Sequence, residues 1–250
     1  MAIPIGLQLY SVRKDAEADL LGTISKVAEQ GYVGVEFAGT FGVSASDIRR
    51  RLEECGITSP SAHVGWDRLS DENLKETTDF YGEFGCKGMV IPWMPESKRN
   101  TDAAARETAA ELTELVAKVS ELGFWTGFHA HDGDMKPLDQ GRSAWDIFGT
   151  YTPKEFALQY DTGNGLSGGA DPVAPILAFP GRGRTVHLKE FPFEGAPIIG
   201  EGDVPWAKVF KACESVGGTE WYIVEYEAEG PFSALDAVAK CLASLREMGK

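Results

Sequence analysis

The stretch "GFHAHDGD" (residues 127–134) sets two histidines two apart at the end of an apolar run, and the whole chain has only four histidines. In an extended strand, residues i and i+2 share a face, so His129 and His131 point the same way. The other two, His63 in "SAHVG" and His187 in "VHLKE", also end predicted strands, as do Glu36 in "GVEF", Asp161 in "QYDTGN" and Glu225 in "IVEYE". Imidazoles and carboxylates gathered at strand ends suit a divalent cation. Mixed nitrogen and oxygen donors fit zinc, manganese, iron or cobalt, whereas all-oxygen sites fit magnesium or calcium better. A cation with one or two open positions can bind vicinal oxygens of a polyol and polarise them as a Lewis acid. Trp66 and Trp93 directly follow strands and could form apolar walls against the faces of a sugar.

Each of these residues also has a structural reading. A single histidine at a strand end more often satisfies a hydrogen bond than a metal. Asp161, just before Gly163, could cap a turn. Glu225 and Glu227 could form a solvated charge run with Glu229, but Trp221-Tyr222-Ile223-Val224 before them read as a buried strand, so Glu225 begins where the interior ends. Asp132 and Asp134 read as loop residues. The placement of all four histidines on one rim favours a site, because scattered histidines would not converge in this way.

The frame that must position them is legible in the alternation of patterns. Apolar runs of strand length fall at 3–10, 33–37, 57–63, 88–93, 124–131, 155–161, 184–190 and 220–227. Between and after them lie amphipathic stretches at 18–30, 45–56, 71–85, 101–123, 143–149, 171–179, 204–217 and 233–249. Strict alternation of strands and helices means parallel strands with crossover helices. Eight units predict a closed (β/α)8 barrel filling residues 1–250 as a single domain. No GxGxxG follows the first strand, which weakens a dinucleotide-binding sheet. The longest irregular stretches, 92–100, 132–142, 162–170 and 191–203, all follow strands and therefore lie on the C-terminal face, where barrel active sites are built.

Composition bounds the partners. A chain of 250 residues buries enough surface to fold without a disulfide or a metal. Its formal net charge of −14 argues against nucleic-acid or anionic-membrane partners, which need a basic surface. Cys55, Cys86, Cys213 and Cys241 show no CxxC spacing, as expected of a reduced cytoplasmic protein. The opening "MAIPIGLQLYSVR" lacks the marks of a secretory signal, and no apolar run approaches the ~18 residues of a membrane span. A homo-oligomer is compatible with all of this.

These motifs carry a family resemblance. "GLQLYSVR", "GFHAHDGD", "YDTGN", "VHLKE", "GEGDVPWAKVF" and "WYIVEYE" occur in the order found in the xylose isomerase-like barrel superfamily, in its sugar phosphate isomerase/epimerase group, and the likeness spans almost the whole chain. The resemblance implies a divalent metal, often manganese, held by four side chains from strands five to eight. Asp161, His187 and Glu225 match ligand positions. Many members carry a glutamate as the fourth ligand at the end of strand five, and here His129 stands in that place. By this departure either His129 ligates through nitrogen or the metal is bound by fewer protein ligands; it also bears on the two-glutamate epimerase mechanism, and inosose dehydratases resemble the chain at the same point.

The resulting expectation is a metal-dependent sugar isomerase or epimerase that removes a proton next to a carbonyl. A lyase or dehydratase acting by β-elimination is the alternative. His131, Lys189 and Glu225 are the acid–base candidates. His63, Glu36 and Asn164 are expected to bind hydroxyls, Asn164 because similar epimerases place a substrate-binding residue there. No phosphate-cradling motif is present, and Lys98-Arg99 is the only basic pair on the rim, so a neutral sugar or keto-sugar is expected as the substrate. Manganese is the expected metal, with zinc, cobalt, iron or magnesium as alternatives. An endonuclease-IV-like enzyme on the same fold would need more histidines and a surface that tolerates DNA. A non-catalytic sugar-binding subunit is the remaining reading.

Overall fold

The computed structural model describes residues 2–195, 197–228 and 230–250. Its eight strands are β1 (Ile5–Gln8), β2 (Gly34–Glu36), β3 (Ala62–His63), β4 (Gly88–Ile91), β5 (Trp125–His129), β6 (Ala157–Gln159), β7 (Thr185–Leu188) and β8 (Trp221–Val224). All pairings are parallel. They run β2-β1-β8-β7 in one half and β3-β4-β5-β6 in the other. Isolated bridges close the two seams, Phe37 with Ala62 between β2 and β3 and Asp161 with His187 between β6 and β7. The His187 amide donates to the Tyr160 carbonyl at 2.8 Å across the second seam. The result is a closed ring of eight. β1, β4 and β7 are buried along their whole length, because helices cover the outside of a parallel barrel while side chains fill its inside.

The helices form where amphipathic period and caps agree. The longest, α5 (Asp102–Glu121), starts at Thr101, whose hydroxyl accepts from the Ala104 amide. Its buried face runs through Ala105, Ala109, Leu112, Val116 and Val119, the spacing of one helical stripe. α10 (Ala234–Glu247) is capped by Ser233 and buries Ala237, Val238, Cys241, Leu242 and Leu245. Fully burying one such leucine contributes roughly 1.5–3 kcal/mol.

The remaining helices are α1 (Arg13–Ala18), α2 (Leu20–Gln30), α3 (Ala45–Cys55), α4 (Leu74–Glu83), α6 (Ala144–Tyr151), α7 (Thr162–Ser167), α8 (Ala174–Ala178) and α9 (Trp206–Ala212). Two depart from the sequence pattern. The first amphipathic stretch begins earlier and breaks at Asp19, whose side chain accepts from the Gly22 amide to start α2 afresh. The stretch after β6 is helical, not irregular, because Asp161 caps α7. Among the described residues, no helix is long and apolar enough to cross a membrane.

Candidate metal centre and active site

The polar strand residues form layers because the parallel register pairs them. Gln8 lies opposite Glu36, His129 opposite Gln159, and Asp161 opposite His187. The β5–β6 approach is close enough to require a glycine. A Cβ on Gly127 would sit 2.5 Å from the Ala157 carbonyl oxygen.

At the floor lies Glu36, fully buried. Its Oε2 accepts from Gln8 Nε2 at 2.7 Å and from His187 Nε2 at 2.6 Å, and its Oε1 accepts from Gln159 Nε2 at 2.8 Å and from the Ser61 hydroxyl. Burial opposes ionisation, but the His63 and His187 imidazoles and these donors outweigh it and draw the carboxyl down to about 2. Glu36 was expected to bind a substrate hydroxyl. With no exposed surface and its oxygens taken by protein donors, it serves the imidazoles instead. His63 sits beside it, with Nε2 at 2.8 Å from Gln159 Oε1 and 3.2 Å from Glu36 Oε2. That ring belongs to the same floor, so the expected hydroxyl-binding role does not extend to its Nε2.

Gln159 ties this floor together. Its amide nitrogen donates to Glu36 and to Thr185 Oγ1 at 2.7 Å. Its oxygen therefore faces His63 Nε2 and His129 Nδ1, the latter at 3.0 Å. An amide oxygen only accepts, so both imidazoles donate to it. That leaves His129 Nε2 with a free lone pair. Burial, reinforced by His187 and His63, holds His129 well below its ordinary pKa and keeps it neutral.

Above the floor, His187 Nδ1 lies 3.2 Å from Glu225 Oε2 and 3.8 Å from Asp161 Oδ2. Burial alone would discharge His187, yet Glu36 and Glu225 raise it to about 10. Asp161 is both the cap that its sequence context suggests and something more. Its Oδ1 accepts from the Asn164 amide at 2.7 Å, while the buried Oδ2 has no hydrogen-bond partner. Burial, with Glu225 adding to it and Lys189 opposing, lifts Asp161 to about 7. Burial also opposes ionisation of Glu225, but Lys189 and His187 prevail and hold it well below the carboxylate range.

One donor atom from each of His129, Asp161, His187 and Glu225 falls within 4.8 Å of the others. Asp161, His187 and Glu225 are the three residues that the resemblance matches to ligand positions, and His129, which the sequence left open as a fourth, lies among them. Two imidazoles and two carboxylates, one with an orphaned buried oxygen, fit a divalent cation. Glu36 would then hold the far nitrogen of His187, the outer carboxylate that orients a ligating histidine. His63 also reaches the His129 and His187 donors within the same distance.

The pocket over this centre measures about 230 Å³ and is lined by Asn164, Lys189, Phe193, Glu225 and Glu227 among others. Lys189 Nζ donates to Glu227 and to Asn164 Oδ1 at 3.3 Å and lies 3.6 Å from Glu225. Asn164 Nδ2 donates to the Ala130 carbonyl at 3.1 Å. Glu225 was expected to be both ligand and acid–base group. Ionised and held between His187 and Lys189, it is placed to ligate a cation, and its lowered pKa makes it a weak base. Its neighbour Glu227 is Lys189's partner, and Glu229 lies outside the described residues.

His131 lies just past β5, its ring centroid 4.9 Å from that of His129, so the two do share a side. Its side chain is 43% exposed and its Nδ1 has no hydrogen-bond partner. Burial, with Lys189 among its neighbours, lowers it to about 4 and leaves it neutral. The tryptophans are less central. Trp93 is 58% exposed, and Trp66 lies under the Lys98 ammonium beside α5. Among the described residues, no hydrogen bond or ring contact joins either to the cluster. The basic pair on the rim is engaged, Lys98 with Glu111 and Arg99 with Asp134. Asp134 is fully buried and also accepts from the His131 amide at 2.8 Å, so it is a support of strand five's end and not a free loop residue.

Sequence reasoning missed Gln159, Gln8 and Ser61, and noted Glu190 only as the last residue of "HLKE" where similar chains have aspartate. A signal existed for the two glutamines, since each is a lone polar side chain inside an apolar strand. Glu190 is buried and accepts from the Phe191, Gly200 and Val204 amides and from the Trp206 indole. It thereby anchors the loop after β7, which carries Phe193.

Comparison with known proteins agrees with this architecture. An inosose dehydratase of Geobacillus kaustophilus (strain HTA426) is 24% identical over 246 residues, covering 82% of this chain and 79% of that protein. A crystal structure of a sugar phosphate isomerase/epimerase from Parabacteroides distasonis ATCC 8503 superposes with a TM-score of 0.86 at 21% identity, covering 98% of this chain and 96% of that one. An L-ribulose 3-epimerase structure gives a TM-score of 0.74 at 14% identity, with 98% of this chain and 94% of that one covered. Residues 24–248 match the family described as xylose isomerase-like TIM barrel. The chain belongs to the xylose isomerase-like TIM barrel family.

Proposed function

We infer that the protein is a divalent-metal-dependent isomerase or epimerase of a neutral sugar or keto-sugar, acting by proton abstraction next to a carbonyl. The observation that carries this reading is the buried quartet His129, Asp161, His187 and Glu225, with the unpartnered Asp161 Oδ2 facing into it. His129, Asp161, His187 and Glu225 would hold a divalent cation, which would supply Lewis acidity to a substrate carbonyl. Manganese is our preferred occupant, with zinc, cobalt, iron or magnesium as alternatives.

The chain's own residues do the rest. His131, neutral, 43% exposed and beside the His129 ring, takes the proton. Lys189 and Asn164 meet substrate oxygens, and the Lys189 ammonium can return a proton to oxygen or carbon. The absence of net positive charge around the pocket supports a neutral ligand over a phosphorylated one. The charge of −14 supports a small carbohydrate over nucleic acid or a membrane as partner. A cytoplasmic location fits the cysteine usage and remains part of this proposal.

β-Elimination is the second reading, and the relatives named inosose dehydratase favour it. Both readings share the first step. The test is NMR in deuterated buffer on manganese-loaded protein with free sugars, their 3-keto derivatives and inososes. Isomerisation or epimerisation returns an isomer carrying deuterium, and elimination returns a dehydrated product. Absence of both carbon-bound deuterium and any dehydrated product across the panel, or turnover strictly dependent on a nicotinamide cofactor, would refute both.

A further inference from the structure

Beside the pocket over Glu225 and Lys189 lies a second hollow of about 290 Å³. Ser11, Arg13, Lys14 and Asp15 line it from the chain after β1, and Phe232 and Ala234 from the chain entering α10. The two hollows share one wall, made of Tyr226, Glu227 and Ala228. They are therefore adjoining compartments on the C-terminal face. At about 230 and about 290 Å³, both lie at the small end of the range for small-molecule sites.

The chemistry of the second hollow is specific. Its described lining carries Arg13 and Lys14 together with Asp15 and Glu227, and Glu227 is shared with Lys189 of the neighbouring pocket. One side is aromatic. Phe232 is 40% exposed, and the Lys240 ammonium lies 4.6 Å from its ring centroid. The dividing wall is pinned in place, because the Tyr226 amide donates to Ser11 Oγ at 2.9 Å. An open aromatic face beside charged and hydroxyl groups matches a sugar ring, which offers an apolar C–H face and a rim of hydroxyls.

We propose that this hollow is a second sugar subsite, so that the natural substrate is a neutral disaccharide whose reacting unit sits over the candidate metal centre. The inference rests on the reading of that centre given above. It adds that the substrate extends past a single ring, toward β1 and α10.

Calorimetric titration of the full-length manganese-loaded protein tests it, with glucose, maltose, cellobiose, sucrose, trehalose and phenyl β-glucoside as probes. At least one disaccharide should bind about tenfold tighter than glucose, a difference of ~1.4 kcal/mol. Ala234→Trp, which fills the hollow from the first turn of α10, should bring that ratio close to one. Phe232→Ala should reduce it several-fold, and both variants should retain their manganese. Disaccharides that bind no tighter than glucose, or a preference that survives both substitutions, would overturn the subsite while leaving the metal centre standing. Preference for the phenyl glucoside over every disaccharide would assign the hollow to an aromatic group and overturn the sugar assignment. Protein that holds no manganese would overturn the centre and the subsite together, and manganese-loaded protein that binds none of the probes would overturn the subsite.

Discussion

Gln159→Leu is the substitution that best separates a built metal site from a chance gathering of polar residues. Leucine is close in volume and apolar, so the packing of β6 is kept while the hydrogen bonds are not. The wild-type amide serves four partners, donating to Glu36 and Thr185 and accepting from His63 and His129. Glu36 would keep Gln8, Ser61 and His187, and His63 would keep Glu36 at 3.2 Å. The Nδ1–H of His129 and the Thr185 hydroxyl lose the partner described here. An unsatisfied buried group costs about 1–3 kcal/mol, so a loss of roughly 2–4 kcal/mol is expected after the gain from a buried leucine. For a chain of this length that is a fall in Tm of about 4–16 °C. The released His129 ring no longer presents Nε2 in a fixed direction, so manganese affinity should fall about 10–100-fold. Thermal unfolding in chelator measures the first effect, and manganese titration of the folded variant measures the second. A variant that melts within about 1 °C of the parent and binds manganese as tightly would show that the amide neither supports nor orients the site.

Three further outcomes are expected. In Asp161→Asn, the amide oxygen keeps the α7 cap and removes a charge facing Glu225, so chelated protein should be no less stable than wild type. Manganese at 100 times the wild-type Kd should stabilise the parent by about 2.7 kcal/mol and the variant by little; equal stabilisation of both would contradict the ligand role. His131→Ala should keep manganese and Tm while kcat falls roughly 10²–10⁴-fold. Because burial holds His131 down near 4, the base form persists on acidification and the parent's rate should stay level well below pH 6.5; a falling limb centred near 6.5 would count against His131 as the base. Glu190→Gln leaves an amide that can satisfy one pair of donors while its NH2 confronts the other. Faster proteolysis within 191–203 and a red-shifted Trp206 emission should follow with manganese retained, and an unchanged digest would remove Glu190 as the anchor of that loop.

Much of the architecture is legible in the sequence. Strand and helix periods report which side of an element is apolar, and eight alternations leave few ways to fold. The same logic placed His129 and His131 on one side and all the histidines at one rim. Local competition produced the misreadings. Asp19 and Asp161 accept backbone amides, so one helix is interrupted and another appears where a loop was expected.

The assignment of roles within the site depended on tertiary structure. Glu36 and Glu225 both end apolar runs and read alike in the sequence, yet one lies under the imidazoles and the other beside the open pocket. Gln159 and Glu36 are 123 residues apart, and only closure of the ring sets their side chains 2.8 Å from each other. The period of a strand fixes which way a side chain points, because it follows from backbone geometry over a few residues. Which atom that side chain meets, how deeply it is buried and what charge it then carries depend on registers and crossings between distant strands, and no local pattern encodes them.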